Sequence, residues 1–206
     1  MKGEVPKQFM LLSGKPVILY SIEAFFESDP EIQIILVLHP QYQEYWKQLC
    51  KDFKITIPTK IAPGGETRFE SVKNGLELVG ENGFVAVHDA ARPVINKDFI
   101  RNLFDEAEKH GSAMPGVPLN DTIRLLEGDT SHQLDRTFLR AMQTPQVYKV
   151  EELKRAYTQA FRPIFTDEAS VMQSAGFLLH LTEGRSENIK ITHANDIAIA
   201  EILIKF

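Results

Sequence analysis

Apolar positions along the chain fall in short unbroken runs separated by longer amphipathic stretches. IILVL (Ile34 to Leu38) is a run of five apolar residues and predicts a buried strand, followed after Pro40 by a helical stretch to about Phe53. FVAVH (Phe84 to His88) predicts a second strand and SAMPGVP (Ser112 to Pro118) a third. Thr67 to Val79 reads as a helix whose first turn holds a capping box, Thr67 and Glu70 each satisfying a free backbone N–H. Further helices are expected from about Lys97 to His110, from Glu151 to Phe161, and from Asn195 to Ile204. Continuous apolar strands alternating with helices imply an α/β fold, a mostly parallel sheet covered on both faces.

One segment departs from this alternation. From Leu119 to Tyr148 (119–148) the helical signals fade, and DTIRLLEGDTSHQLDRT alternates apolar and polar residues around Glu127-Gly128-Asp129. That pattern predicts a β-arm projecting from the sheet. An isolated two-stranded ribbon is only marginally stable in water, so a partner is expected to cover it. No internal repeat, low-complexity tract or linker divides the chain, and 1–206 reads as a single domain.

Composition narrows the function. The chain has 206 residues, 43% hydrophobic and 25% charged, as in an ordinary soluble globular protein. Its net charge of −5 argues against nucleic-acid binding, which needs a basic surface, but leaves room for a small basic pocket facing a phosphorylated ligand. Cys50 is the single cysteine, so no intrachain disulfide forms and no multi-cysteine metal site exists. No apolar run reaches the ~20 residues of a membrane helix. FMLLSGKPVILYSI is broken by Ser13, Gly14, Lys15 and Pro16, which makes it a poor signal peptide. A cytoplasmic protein without membrane attachment is the expectation.

Four stretches can carry chemistry, and each has a plainer reading. GGETR (Gly64 to Arg68) precedes a helix; adjacent glycines and free N–H groups suit an anion, or simply a tight, well-capped turn. HDAARP (His88 to Pro93) sits at the carboxyl end of a predicted strand, where open α/β sheets bind ligands. Asp89 there can hold Mg²⁺ and Arg92 can fork onto a phosphate; alternatively the two form a local salt bridge. His88 reads as a structural polar residue. TDEAS (Thr166 to Ser170) most simply starts a helix with Thr166 as N-cap. EGRSENIKIT (Glu183 to Thr192) carries Arg185 and Lys190 into an apolar strand, where a lysine is costly unless its ammonium reaches water or an anion. Lys7, in PKQF, would ordinarily be a solvated lysine, and TPQ (Thr144 to Gln146) is uninformative by itself.

In this order, PKQF, GKP, GGETRFESVKNGL, HDAARP, DTI, DR, TPQ, TDEAS and EGRSENIKIT together resemble the 2-C-methyl-D-erythritol 4-phosphate cytidylyltransferases of the non-mevalonate isoprenoid pathway. The resemblance runs from Pro6 to the C-terminus. It implies a Rossmann-like nucleotidyltransferase fold and a reaction of CTP with methylerythritol phosphate, assisted by Mg²⁺. It also implies a homodimer built through the 119–148 arm. Carried over by motif, Lys7 contacts the CTP phosphates, Lys190 reaches the α-phosphate, and Asp89 lies beside the metal. Gly65, Glu66 and Ser71 match the segment that reads cytosine and ribose, with Glu66 standing where some members have Asp. Arg92, Thr122, Arg136, Thr144, Thr166 and Lys190 would line the methylerythritol phosphate side. Members of the family begin with a strand and a glycine-rich loop ending in Arg-Met; Met1 resembles that methionine, so the strand and loop are expected upstream of it. Two neighbouring readings are a sister enzyme acting on ribitol 5-phosphate or another pentitol phosphate, and a non-catalytic binding homologue. The Ala-Ala of HDAARP and the Gly-Arg before ENIK favour the methylerythritol enzyme.

Overall fold

The computed structural model describes residues 6–205, so the expectation attached to Met1 lies outside the described residues. A tight hairpin opens them: β1 (Leu11–Leu12) pairs antiparallel with β2 (Lys15–Pro16). Ser13 and Gly14 turn the chain between them at φ of 48° and 82°. Helix α1 (Val17–Ser28) follows directly. The apolar stretch that looked like a broken run is therefore a hairpin plus a buried helix.

Strand β3 (Ile34–Leu38) lies where the pattern placed it, and α2 (Gln43–Asp52) packs Trp46 and Leu49 against it. β4 (Thr59–Pro63) runs parallel to β3 over its full length. Helix α3 (Arg68–Leu76) carries the expected capping box, with Thr67 and Glu70 exchanging side-chain bonds to backbone N–H groups. Then follow β5 (Phe84–Val87), α4 (Lys97–His110) and β6 (Ser112–Pro118). The ribbon is real: β7 (Ile123–Glu127) pairs with β8 (Thr130–Leu134) across Gly128 and Asp129. It is shorter than the expected 119–148 arm. β9 (Arg140–Met142) and β10 (Gln146–Lys149) return to the main sheet. Helix α5 (Val150–Ala156) ends earlier than the expected Phe161, because the Thr158 hydroxyl and the Gln159 amide bond the carbonyls of Arg155 and Ala156. α6 (Glu168–Ser174), β11 (Leu181–Glu183) and α7 (Asn195–Leu203) complete the chain. No strand forms around Lys190: β11 ends at Glu183, and Lys190 sits in the loop beyond it.

The main sheet has the order β11-β6-β10-β5, with β9 also on β6. β10 opposes both β5 and β6, while β6 and β11 are parallel, so the sheet is mixed around a parallel set. Strand alternation covers both faces. Phe84, Ala86, Ala113 and Val147 meet Phe99, Leu103 and Ala107 of α4. Val85, Val87, Met114 and Tyr148 meet α3, α5 and α6. The β3–β4 pair is a separate sheet. Consecutive residues of both β3 and β5 line one cavity of about 960 Å³. Because neighbours in a strand point to opposite faces, continuous lining means that the strands present their edges to it. Gln8, Arg68, His88 and Asp89 stand among the residues bounding the same cavity.

Candidate functional site

Four sequence motifs that lie far apart in the chain converge beyond the carboxyl end of β5, and Asp89 is their meeting point. The Lys190 ammonium lies 2.6 Å from Asp89 Oδ2, Arg68 Nη2 lies 3.5 Å from Oδ1, and Arg92 Nε lies 3.9 Å from Oδ2. Burial alone would raise the Asp89 carboxyl; the hydrogen bond and charge of Lys190, then Arg68, hold it below the ordinary carboxylate range. Asp89 is thus an ionised carboxylate facing three cations.

The turn that presents Asp89 is fixed by polar partners. Thr144 Oγ1 accepts the Asp89 N–H at 3.0 Å and lies 3.1 Å from His88 Nδ1. His88 Nε2 lies 3.1 Å from the Arg92 carbonyl and 3.2 Å from Ser21 Oγ. A carbonyl only accepts, so Nε2 carries the proton and Nδ1 accepts from the Thr144 hydroxyl. Burial pushes the His88 imidazole down to about 4 from its ordinary 6.5. Its structural reading holds: it is a neutral brace behind Asp89.

Arg68 is held by a carboxylate 100 residues away. Its Nη1 and Nη2 donate to Glu168 Oε1 and Oε2 at 2.5 and 2.9 Å, and the Tyr157 hydroxyl adds a bond of 3.1 Å to Oε1. Glu168 is fully buried. Burial would lower the Arg68 guanidinium, but the Glu168 pairing raises it above its ordinary value. Arg92 donates from Nη1 to the Asn188 carbonyl at 2.8 Å and from Nη2 to the Met142 carbonyl at 3.4 Å, while its buried Nε lacks a hydrogen-bond partner. Asn188 returns a bond from Nδ2 to the Thr144 carbonyl at 2.9 Å. Arg92 therefore braces the loop carrying Lys190, with its fork occupied by backbone.

The remaining candidates are distributed around this cluster. The Gly65 N–H donates to Ser71 Oγ at 3.0 Å, and the Ser71 hydroxyl donates to the Thr67 carbonyl at 2.9 Å. A Cβ on Gly65 would lie 2.3 Å from Glu70 Cβ, so only glycine fits the turn. Glu66 is exposed. Thr166 is exposed just before α6, whose N-cap is Asp167 in a capping box with Ser170, one residue later than expected. Lys7 begins a short 3-10 turn; the Asp196 carboxyl at the start of α7 is held low chiefly by the His193 and Thr192 backbone N–H groups, and the Lys7 charge adds a little. Thr122 and Arg136 meet elsewhere, in a cavity of about 510 Å³ at the base of the ribbon. Arg136 Nη1 donates to the Asn120 carbonyl. The nearby acids have other partners: Asp135 accepts from Thr137, and Glu127 pairs with His132. Among the described residues no hydrogen bond or ion pair joins this group to Asp89.

Sequence reasoning missed Arg68, Glu168 and Asn188 as site residues. Each stood inside a quoted motif, but a pairing across 100 residues leaves no periodic trace.

Comparisons with known proteins place the chain in a family. The family model for 2-C-methyl-D-erythritol 4-phosphate cytidylyltransferase matches residues 1–205. A relative of that name from Bacteroides thetaiotaomicron is 46% identical over 204 residues, covering 99% of this chain and 93% of the relative. One from Porphyromonas gingivalis is 36% identical over 206 residues, covering 99% and 91%. The crystal structure of the Thermus thermophilus protein of that name superposes with a TM-score of 0.81 at 27% identity, covering 98% of this chain and 95% of that one. The chain belongs to the 2-C-methyl-D-erythritol 4-phosphate cytidylyltransferase family.

Proposed function

We propose that the chain joins CTP to 2-C-methyl-D-erythritol 4-phosphate, giving 4-diphosphocytidyl-2-C-methyl-D-erythritol and pyrophosphate in isoprenoid precursor synthesis. The observation that carries the mechanism is Asp89 holding Lys190 at 2.6 Å, with Arg68 and Arg92 behind it. A phosphate monoester has its second pKa near ~6 and is largely dianionic at neutral pH, so its oxygen attacks without a general base. That oxygen bonds to the α-phosphorus of CTP as the bond to the bridging oxygen of pyrophosphate breaks. The protein must bring anions together and offset charge in the transition state.

Lys190 and Asp89 neutralise each other when no ligand is bound. Binding CTP exchanges partners: the Lys190 ammonium moves to the α-phosphate, and Asp89 is freed as a hard oxygen donor. A single ionised carboxylate fits Mg²⁺, which takes one or two carboxylates together with substrate phosphates. When bound there, the cation would supply charge neutralisation on the phosphate oxygens. Lys7 completes the phosphate contacts, and the Gly65–Ser71 turn reads the base and ribose.

The ribbon exposes Leu125 and Leu126, and the turn after it exposes Phe138, the last two residues at 76% and 85%. That apolar surface supports a homodimer in which each arm brings Thr122 and Arg136 to the neighbouring pocket, beside Thr144 and Thr166. Pyrophosphate release by the full-length protein tests the assignment, using CTP and Mg²⁺ with either polyol phosphate. Release with methylerythritol phosphate supports it. Release only with ribitol 5-phosphate identifies the sister activity, and release with neither identifies a non-catalytic homologue.

A further inference from the structure

We infer that Glu106, His110 and His180 form a second cation site, for a divalent transition metal of the zinc class, remote from Asp89. Glu106 and His110 lie one turn apart on α4 and project from the same face. His180 enters from the segment before β11. Its backbone is fixed to β6 on both sides: its N–H donates to Ser112 Oγ at 2.9 Å, and its carbonyl accepts from Met114 N–H at 3.0 Å.

Glu106 Oε2 stands 3.4 Å from His180 Nε2 and 3.7 Å from His110 Nε2, and all three ligand atoms fall within 4.8 Å of one another. Zinc bonds of about 2.0–2.1 Å in a tetrahedron place ligand atoms roughly 3.3 Å apart, so both carboxylate edges are already close to size. The imidazoles stack with centroids 3.8 Å apart and planes 17° from parallel. A small rotation of each ring out of the stack turns the two nitrogens toward one ion. Lys109 occupies only the other carboxylate oxygen, Oε1, at 3.0 Å, leaving Oε2 for the metal.

The position adds a second attraction. His110 is the last residue of the 14-residue α4, and Gly111 terminates the helix at φ 86°. The negative end of the helix dipole therefore points at the site and favours a cation. All three side chains are partly accessible, at 25%, 45% and 35%, so a fourth position remains for water. Two imidazoles and one carboxylate select zinc, nickel or copper over Mg²⁺, which prefers oxygen donors. A bound ion would tie the end of α4 to the entry of β11, two elements otherwise joined through β6. The site serves stability rather than the transfer reaction.

The test is calorimetric titration of chelator-stripped, full-length protein with ZnCl₂, alongside His110→Ala and His180→Ala. The inference expects one zinc per chain, a melting temperature that rises with zinc, and an affinity at least about tenfold lower in each variant. Cobalt should give the intense visible bands of a tetrahedral ion in the parent and not in the variants, a signal that a purely structural role would not move. Mg²⁺ should produce no heat at this site. Absence of zinc binding, parental affinity in both variants, or loss in only one of them would each overturn the three-ligand assignment.

Discussion

Replacing Arg68 by methionine tests how the pocket behind Asp89 is held. The substitution removes both guanidinium bonds to Glu168, of 2.5 and 2.9 Å, and leaves a fully buried carboxylate with only the Tyr157 hydroxyl at 3.1 Å. Breaking one side of a buried ion pair costs about 3–5 kcal/mol, because the orphaned charge has lost its water as well as its partner. The Arg68 side chain is 34% exposed, so solvent already screens part of the pair, and the low end, about 3 kcal/mol, is expected. In a chain of this length each kcal/mol moves the melting temperature by roughly 2–4 °C, so the variant should melt about 6–12 °C lower. Adding Glu168→Leu removes the stranded charge and should recover all but about 1 kcal/mol. Urea unfolding of the two single variants and the double variant closes the cycle, with a coupling of about 2 kcal/mol or more. A loss below about 1 kcal/mol in Arg68→Met, or a double variant as unstable as the sum of the singles, would refute the reasoning.

Three further outcomes follow from the site. Lys190→Ala and Lys7→Ala should each lower turnover about a hundredfold or more while melting within a few degrees of the parent, since the proposed function gives each a phosphate contact and neither is a core residue; normal turnover in both would remove the assigned chemistry. His88, neutral in the folded protein and pushed down to about 4, binds fewer protons than its unfolded counterpart at 6.5. Its contribution is therefore complete above pH 6.5 and lost as pH falls toward 4; the full shift is worth ~3 kcal/mol, and the partly accessible ring makes about 2 the expectation. Denaturant midpoints across that window should fall in the parent and flatten in His88→Gln; equal slopes would contradict the assignment. Mixed dimers of Arg136→Ala and Asp89→Ala should recover toward about a quarter of parental activity, because half the dimers hold one intact shared pocket. A flat result with proven subunit exchange would place Arg136 in its own chain's pocket or in none.

The parts of the fold that were legible are those whose signal is local. IILVL, SAMPGVP and Lys97–His110 lie where the apolar pattern put them, and the Thr67–Glu70 box is fully formed. α1 escaped notice because Val17, Ile18, Leu19, Ser21, Ile22 and Ala24 are all buried, so the helix has no polar stripe to reveal its period. β10 falls inside the expected arm because three of its four residues are buried between two strands and show no alternation. Within the site, motif order pointed to Asp89 and Lys190, but not to their contact. Arg92 looked like a phosphate fork and is instead spent on the Asn188 and Met142 carbonyls, since a sequence does not show where backbone acceptors lie. Thr144, unremarkable in TPQ, joins His88 to Asp89 through one hydroxyl, a role only the folded geometry discloses.

The central claim is that a dianionic polyol phosphate attacks the α-phosphorus of CTP in the pocket bounded by Asp89 and Lys190. It is tested most directly by following CTP labelled at the α-phosphorus through a quenched reaction of the full-length protein with methylerythritol phosphate and Mg²⁺. The account predicts that all transferred label appears in the cytidine diphosphate-alcohol, that pyrophosphate is unlabelled and formed one-to-one with it, and that Lys190→Ala suppresses both together. Label recovered in CDP, or CTP left intact while methylerythritol phosphate is present in excess, would contradict it.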